Sequence, residues 1–337
     1  GSALGAVAAA LDLPVGASFR CQDYLDNTHP NYVGDVGIGP NPALAQAVRE
    51  ADVLLALGPR LGEMTTSGYT LLTPPVPAQR LIHVHPDPDE LGRVYHPTLA
   101  VAARPAEVIC QVAERVEVPG QARDGARVTG LRASYEAWQT PEETPGALQM
   151  EQVIGHLRAT LPPQAIVTNG AGNYAGWLHR YYRWRGWRTQ LAPTSGSMGY
   201  GLPAAVAAAL EHRDRPDTHP VICLAGDGCF QMTAQELGTA CQYGAKVIVL
   251  VINNGMYGTI RMHQEKTYPG RVSGTALRNP DFAALARSYG ALGITVTENA
   301  AFPDALQAAL AADTPALLDL RVDPRALSTK LRLATQG

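Results

Sequence analysis

The stretch Val221 to Gly258, VICLAGDGCFQMTAQELGTACQYGAKVIVLVINNGMYG, constrains the fold more than any other part of the chain. Val221–Leu224 and Val247–Ile252 are short, unbroken apolar runs, the pattern of parallel strands buried on both faces. Thr233–Tyr243 between them reads as a helix. Each run ends in a polar turn, Gly226-Asp227-Gly228 after the first and Asn253-Asn254 after the second. In an open α/β sheet both turns fall at the carboxyl ends of strands, the edge where ligands bind.

The same alternation extends over most of the 337 residues. Helices are expected at Ala3–Leu11 and Asn41–Glu50, the second opened by an Asn cap and a first-turn Pro. Val53–Leu57 and Arg80–Val84 read as strands. From Glu117 to Leu148 the pattern dissolves into Pro, Gly, Arg and Glu around one short helical piece, RASYEAW, which predicts a linker over 117–148. Alternation then resumes, with helices at 150–160, 199–210, 233–243, 281–289 and 301–311 and strands at 165–168, 221–224, 247–252, 293–296 and 316–320. The expected fold class is α/β: two doubly wound, Rossmann-like parallel-sheet domains, over 1–116 and 149–337.

Composition narrows the role. A formal charge of -3 provides no field for nucleic acid. The longest apolar run is strand-sized, well short of the roughly 20 residues of a membrane helix. None of the five cysteines forms a CxxC pair, so no zinc knuckle is expected and a cytoplasmic setting fits best. The run WLHRYYRWRGWR, Trp177 to Arg188, is expected to be a packed, solvated surface segment.

Glycines on both sides of Asp227 let a ligand approach the backbone, and the helix that follows offers unpaired N–H groups to an anion. A carboxylate beside a phosphate seat makes physical sense when a hard divalent cation sits between them. Mg2+ held by one or two protein oxygens together with phosphate oxygens is the expected economy. Asn254 adds an amide oxygen from the neighbouring strand end, and a backbone carbonyl beyond it can complete the set.

These residues resemble the diphosphate-binding motif of thiamine diphosphate enzymes, and the wording around them is most similar to acetolactate synthase large subunits. The resemblance implies a thiamin diphosphate-binding fold for the second domain, with thiamine diphosphate and Mg2+ as cofactors. It implies that Asp227 and Asn254 ligate the metal by side chain and Met256 by its carbonyl. Gly226, Gly228, Cys229, Tyr257 and Gly258 would line the diphosphate, Cys229 standing where many relatives have Ser. TSGSMGYGLPAAVAAAL, Thr194 to Leu210, resembles the segment that wedges the cofactor into a bent shape, with Met198 at the wedge and Gly196 and Ser197 beside it. NGAGNYAGW, Asn169 to Trp177, resembles the loop that places Asn173 and Tyr174 near the diphosphate.

The first domain resembles the central domain of that family through Asp87, Pro88 and Glu90, and its first strand is expected to be absent. FAD remains an alternative that the residues do not favour: Arg60 matches a flavin-contacting position, while GIGP at Gly37 to Pro40 replaces the usual glycine-methionine-histidine-glycine. Nothing resembles the N-terminal pyrimidine-binding domain, which carries the activating glutamate, so the chain is expected to be incomplete and no catalytic residue is assignable. His263 occupies the place of a Trp that selects the acceptor, and Arg261 is the other substrate candidate, both on a loop expected to be mobile.

The implied activity is that of a carboligase or decarboxylase acting on 2-oxo acids, in a homodimer or tetramer. The competing readings are a non-catalytic or split subunit working with a separate pyrimidine-domain chain, and a generic nucleotide-binding α/β protein.

Overall fold

The computed structural model describes residues 1–116, 125–213 and 219–333, which divide into two compact units, Gly1–Gln139 and Thr140–Gly337. In the first unit α1 (Ser2–Leu11) leads to β1 (Val15–Ala17), β2 (Tyr32–Asp35), α2 (Pro42–Arg49), β3 (Val53–Leu57), β4 (Arg80–His85), β5 (Leu99–Ala102), α3 (Pro105–Arg115) and α4 (Ala126–Trp138). Its strands form two parallel sheets, β1-β2 and β3-β4-β5. The Asn41 side chain accepts from the Ala43 N–H at 3.0 Å, capping α2 as the Asn-Pro pair predicts.

The stretch expected as linker differs. Residues 117–124 lie outside the described residues, but 126–138 is the helix α4, integral to the first unit. Tyr135 packs edge-on against Tyr32 at 5.3 Å. Arg132 donates through one guanidinium nitrogen to the carbonyls of Asn27, His29 and Tyr32 at 2.8, 3.0 and 3.0 Å. Only its second half, RASYEAW, stood out in the sequence, because its anchor includes a polar fan onto backbone carbonyls.

The second unit runs α5 (Met150–Thr160), β6 (Ile166–Asn169), α6 (Ala175–Tyr181), β7 (Gln190–Leu191), α7 (Gly201–His212), β8 (Val221–Gly226), α8 (Asp227–Gln231), α9 (Glu236–Tyr243), β9 (Val247–Asn253), α10 (Gly258–Thr267), α11 (Phe282–Ser288), β10 (Leu292–Val296), α12 (Phe302–Ala311) and β11 (Ala316–Arg321). The strands form one parallel sheet ordered β10-β11-β9-β8-β6-β7. Alternate residues of β8 and β9 serve two cores. Ile222, Leu224, Leu250 and Ile252 face α5, α6 and α12. Val221, Cys223, Val249 and Val251 face α7, α9 and α11. Burial on both faces is why these runs show no polar alternation.

The aromatic run is corrected by the structure. Trp177, Tyr181, Tyr182 and Trp184 are buried in the first of these cores, and the Trp177 indole N–H donates to the buried Glu151 carboxylate at 3.2 Å. Its arginines gave the run a surface look, while the rings between them fill the sheet face. The segment after Asn254, expected as a loop, contains the ten-residue helix α10.

After β6 the chain visits β7 on one side and returns to β8 on the other. Loops leaving β6 and β8 therefore diverge and open a crevice at the carboxyl edge. Among the described residues no helix is long and apolar enough to cross a membrane.

One buried acid of the first unit sets a pH dependence. Burial pushes the Asp35 carboxyl up to about 7, while Gln22 donates to it at 3.2 Å. The unfolded chain then releases this proton before the folded chain does, so stability falls as pH rises from the ordinary carboxylate range and the loss is complete above about 7. Asp35→Asn removes the effect. Urea unfolding at pH 5 and pH 8 should show the advantage of the Asn variant growing by on the order of 1–2 kcal/mol across that interval.

Candidate functional site

The carboxyl edge of the second sheet collects the polar turns around one cavity of about 260 Å³. β8 ends at Gly226, and Asp227 opens α8 with its side chain 3% exposed. A carboxylate this deep needs donors, and three lie within 2.8 Å. Oδ1 accepts from the Gly228 N–H at 2.8 Å, while Oδ2 accepts from the Gly255 N–H and the Asn279 amide, both at 2.8 Å. Burial pushes the Asp227 carboxyl above its ordinary range, opposed by Asn279 and the backbone N–H groups of Gly228, Gly255 and Met256.

The second turn follows β9. Gly255 at φ +69° reverses the chain, a conformation that favours glycine. The Asn254 side-chain oxygen accepts from the Met256 N–H at 3.1 Å. Tyr257 N–H donates to the Thr275 carbonyl and Leu277 N–H to the Gly255 carbonyl, at 2.9 and 2.8 Å, which pins the turn to the strand-like segment beside it.

The flanking glycines of Asp227 have a packing role that the sequence reading lacked. A Cβ at Gly226 would lie 2.9 Å from the Tyr174 ring, and one at Gly228 would lie 2.6 Å from the Tyr257 ring. The Tyr174 hydroxyl and the Gly199 N–H both donate to the buried Cys229 sulfur, at 3.3 and 3.2 Å. Cys229 thus ties the loop after β6 and the start of α7 to the turn after β8.

The cavity is lined by Asn173, Tyr174, Gly196, Met198, Gly226, Asp227, Gly228, Cys229, Asn254, Met256, Tyr257 and Gly258. Ser197 is not among the lining residues, and its hydroxyl lies 2.9 Å from that of Ser195. Asn173 is engaged, donating to the Leu327 carbonyl at 2.8 Å and exchanging hydrogen bonds with Thr259. Neither substrate candidate lines the cavity: Arg261 is buried and paired with Glu265, and His263 is exposed on α10. In the first unit Arg60 is held by Glu90 at 3.2 Å.

The donor set suits a hard cation. One carboxylate, one amide oxygen and the Met256 carbonyl supply oxygen ligands with a single negative charge. Among the described residues no cluster of three or more His, Cys, Asp or Glu could hold a metal by itself. A cation seated here would need further oxygens from an anionic ligand, which is the economy of magnesium–phosphate sites. Asn279, Asn253 and Asp319 belong to the site's polar support; of these the sequence reading named only Asn253, as part of the turn after the second apolar run.

Comparison with known proteins shows what the chain is similar to. The family model described as "Thiamine pyrophosphate enzyme, C-terminal TPP binding domain" matches residues 170–320, and "Thiamine pyrophosphate enzyme, central domain" matches residues 1–112. The acetolactate synthase large subunit of Parasynechococcus marenigrum is 33% identical over 321 residues, covering 92% of this chain and 50% of that protein. That of Corynebacterium glutamicum is 30% identical over 323 residues, with shares of 92% and 50%. A solved structure, the thiamine diphosphate-dependent 4-hydroxybenzoylformate decarboxylase of Rhodococcus jostii RHA1, superposes with a TM-score of 0.77 at 26% identity, over 96% of this chain and 58% of the other. The chain spans about half the length of the curated relatives it matches.

The sulfur contacts make a separable expectation. Cys229→Ala leaves the Tyr174 hydroxyl and the Gly199 N–H without their acceptor and should cost about 1–3 kcal/mol in urea unfolding. Cys229→Ser, which keeps an acceptor of similar size, should lose less.

Proposed function

The chain belongs to the thiamine pyrophosphate enzymes, whose central and C-terminal domains it carries, and we propose that it serves a carboligase or decarboxylase acting on 2-oxo acids. The observation that carries the reading is the convergence of Asp227, Asn254 and Met256 on one cavity that Met198 also lines. When bound, thiamine diphosphate supplies a nucleophilic carbon that makes or breaks the bond next to a carbonyl. In this assignment the Asp227 and Asn254 side chains and the Met256 carbonyl hold Mg2+. The Gly228, Cys229 and Gly258 backbones line the diphosphate, and Met198 supports the bend of the cofactor.

The protein's part is to bind, orient and exclude water. Asp227 enters the site prepositioned by three donors, so little reorganisation remains when a cation arrives. Ile252, Trp177, Leu148 and Leu327 give the cavity apolar walls that strengthen every charge interaction inside it. The substrate class follows the relatives: acetolactate synthases on one side and, on the other, a decarboxylase whose named substrate, 4-hydroxybenzoylformate, is itself a 2-oxo acid. Arg261, occupied by Glu265, positions α10 rather than a substrate carboxylate; His263 is the exposed candidate of the two. Residues 1–139 and 140–337 act as the central and cofactor-binding domains, and the working form is a cytoplasmic homodimer or tetramer.

Calorimetric titration of thiamine diphosphate, with and without Mg2+, tests the assignment. Binding should require the metal. Asp227→Ala and Asn254→Ala should each weaken it at least tenfold, a loss of about 1.4 kcal/mol or more. Metal-independent affinity in both variants would overturn the reading.

A further inference from the structure

We propose that Asn279, locked in orientation by Asn253 and Asp319, reserves a single oxygen of Asp227 for the cation and so makes the site prefer magnesium to calcium. This rests on the cofactor-site reading above.

The two oxygens of Asp227 are not equivalent. Oδ2 accepts from both the Gly255 N–H and the Asn279 amide, at 2.8 Å each, which uses the two in-plane lone pairs a carboxylate oxygen has. Oδ1 accepts one close hydrogen bond, from the Gly228 N–H at 2.8 Å, while the nearby Met256 N–H bonds the Asn254 side-chain oxygen at 3.1 Å, which leaves Oδ1 one lone pair. The carboxylate can therefore offer one oxygen and cannot bind side-on. Mg2+ takes a near-octahedral shell in which a single carboxylate oxygen suits well, whereas Ca2+ accepts six to eight oxygens and readily takes both from one carboxylate.

The amide of Asn279 must face the right way, since a half-turn would aim its oxygen at Asp227. A chain of partners forbids that. Asp319 lies in the interior of β11, fully buried, and as a carboxylate it can only accept. Asn253 must therefore present its nitrogen to Asp319, at 2.9 Å, and turn its oxygen toward Asn279. The Asn279 nitrogen donates to that oxygen at 2.8 Å and, with its second hydrogen, to Asp227. The Asn279 oxygen accepts from Gln231 at 3.0 Å. Arg321 lies 2.7 Å from the second oxygen of Asp319 and partly offsets the burial that pushes this carboxyl above its ordinary range. A fixed charge on β11 thus sets two amides in sequence and selects which oxygen of a carboxylate on β8 stays free.

The test is the ratio of thiamine diphosphate affinities measured by calorimetry in Mg2+ and in Ca2+. Asn279→Ala, which releases one lone pair of Oδ2 while the Gly255 N–H keeps the other, should cut the magnesium preference at least tenfold. Asn279→Asp keeps the shape, removes the donor and adds a second carboxylate; it should move the ratio further toward calcium. Gln231→Ala, which leaves the contact to Asp227 in place, should stay within about twofold of the parent. Thermal unfolding of each ligand-free variant reports folding separately, and Asp319→Asn, which lets Asn253 present either end, should shift the ratio in the same direction as Asn279→Ala. Equal losses in both metals, or an unchanged ratio, would overturn the inference while leaving the cofactor site standing. Absence of metal-dependent binding in the parent chain would overturn both.

Discussion

A carboxylate sealed at the end of a central strand is the constraint on which this site depends. Taking the charge of Asp227 out of water costs several kcal/mol unless donors replace the lost solvent. The fold meets that demand from three directions: the turn after β8, the glycine turn after β9, and the segment before α11. Those donors still leave the Asp227 carboxyl above its ordinary range. That remaining imbalance is one a cation held at this carboxylate would relieve.

The sheet makes such a site affordable. β8 and β9 are buried on both faces, with each face covered by its own set of helices, so their carboxyl ends are held by two cores rather than by loops. The crevice opens where the chain reverses direction across the sheet, between the loops leaving β6 and β8. Tyr174 and Tyr257 then pack on the two glycines beside Asp227, at distances that leave no room for a side chain there. Glycine at these positions serves ring packing as much as ligand approach.

Some elements were legible because their signal is local. Val53–Leu57 was expected as a strand and is one, and the Asn41-Pro42 cap opens its helix as expected. The short strands β1, β2 and β5 were not seen, since three or four residues carry too little periodicity to stand out. Of helix α4 only RASYEAW was legible in its polar stretch, where Arg132 anchors it through carbonyls. The run from Trp177 to Arg188 misled for the opposite reason: its charges are conspicuous in sequence, but the rings between them decide where the segment goes.

By itself the sequence determined the α/β class, the family resemblance, and the short turns that carry Asp227, Asn254, Met256 and Met198, because each of these is written within a few consecutive residues. Tertiary structure alone decided which donors surround the carboxylate and which way they point. Asn279, Asn253 and Asp319 lie 52, 26 and 92 positions from Asp227, and only the parallel ordering of β8, β9 and β11 brings them into one line. The occupation of Arg261 by Glu265 likewise depends on residues 258–267 being a helix, which sets those side chains one turn apart. Hydrogen-bond direction depends on the whole set of neighbours, and no stretch of sequence contains that set.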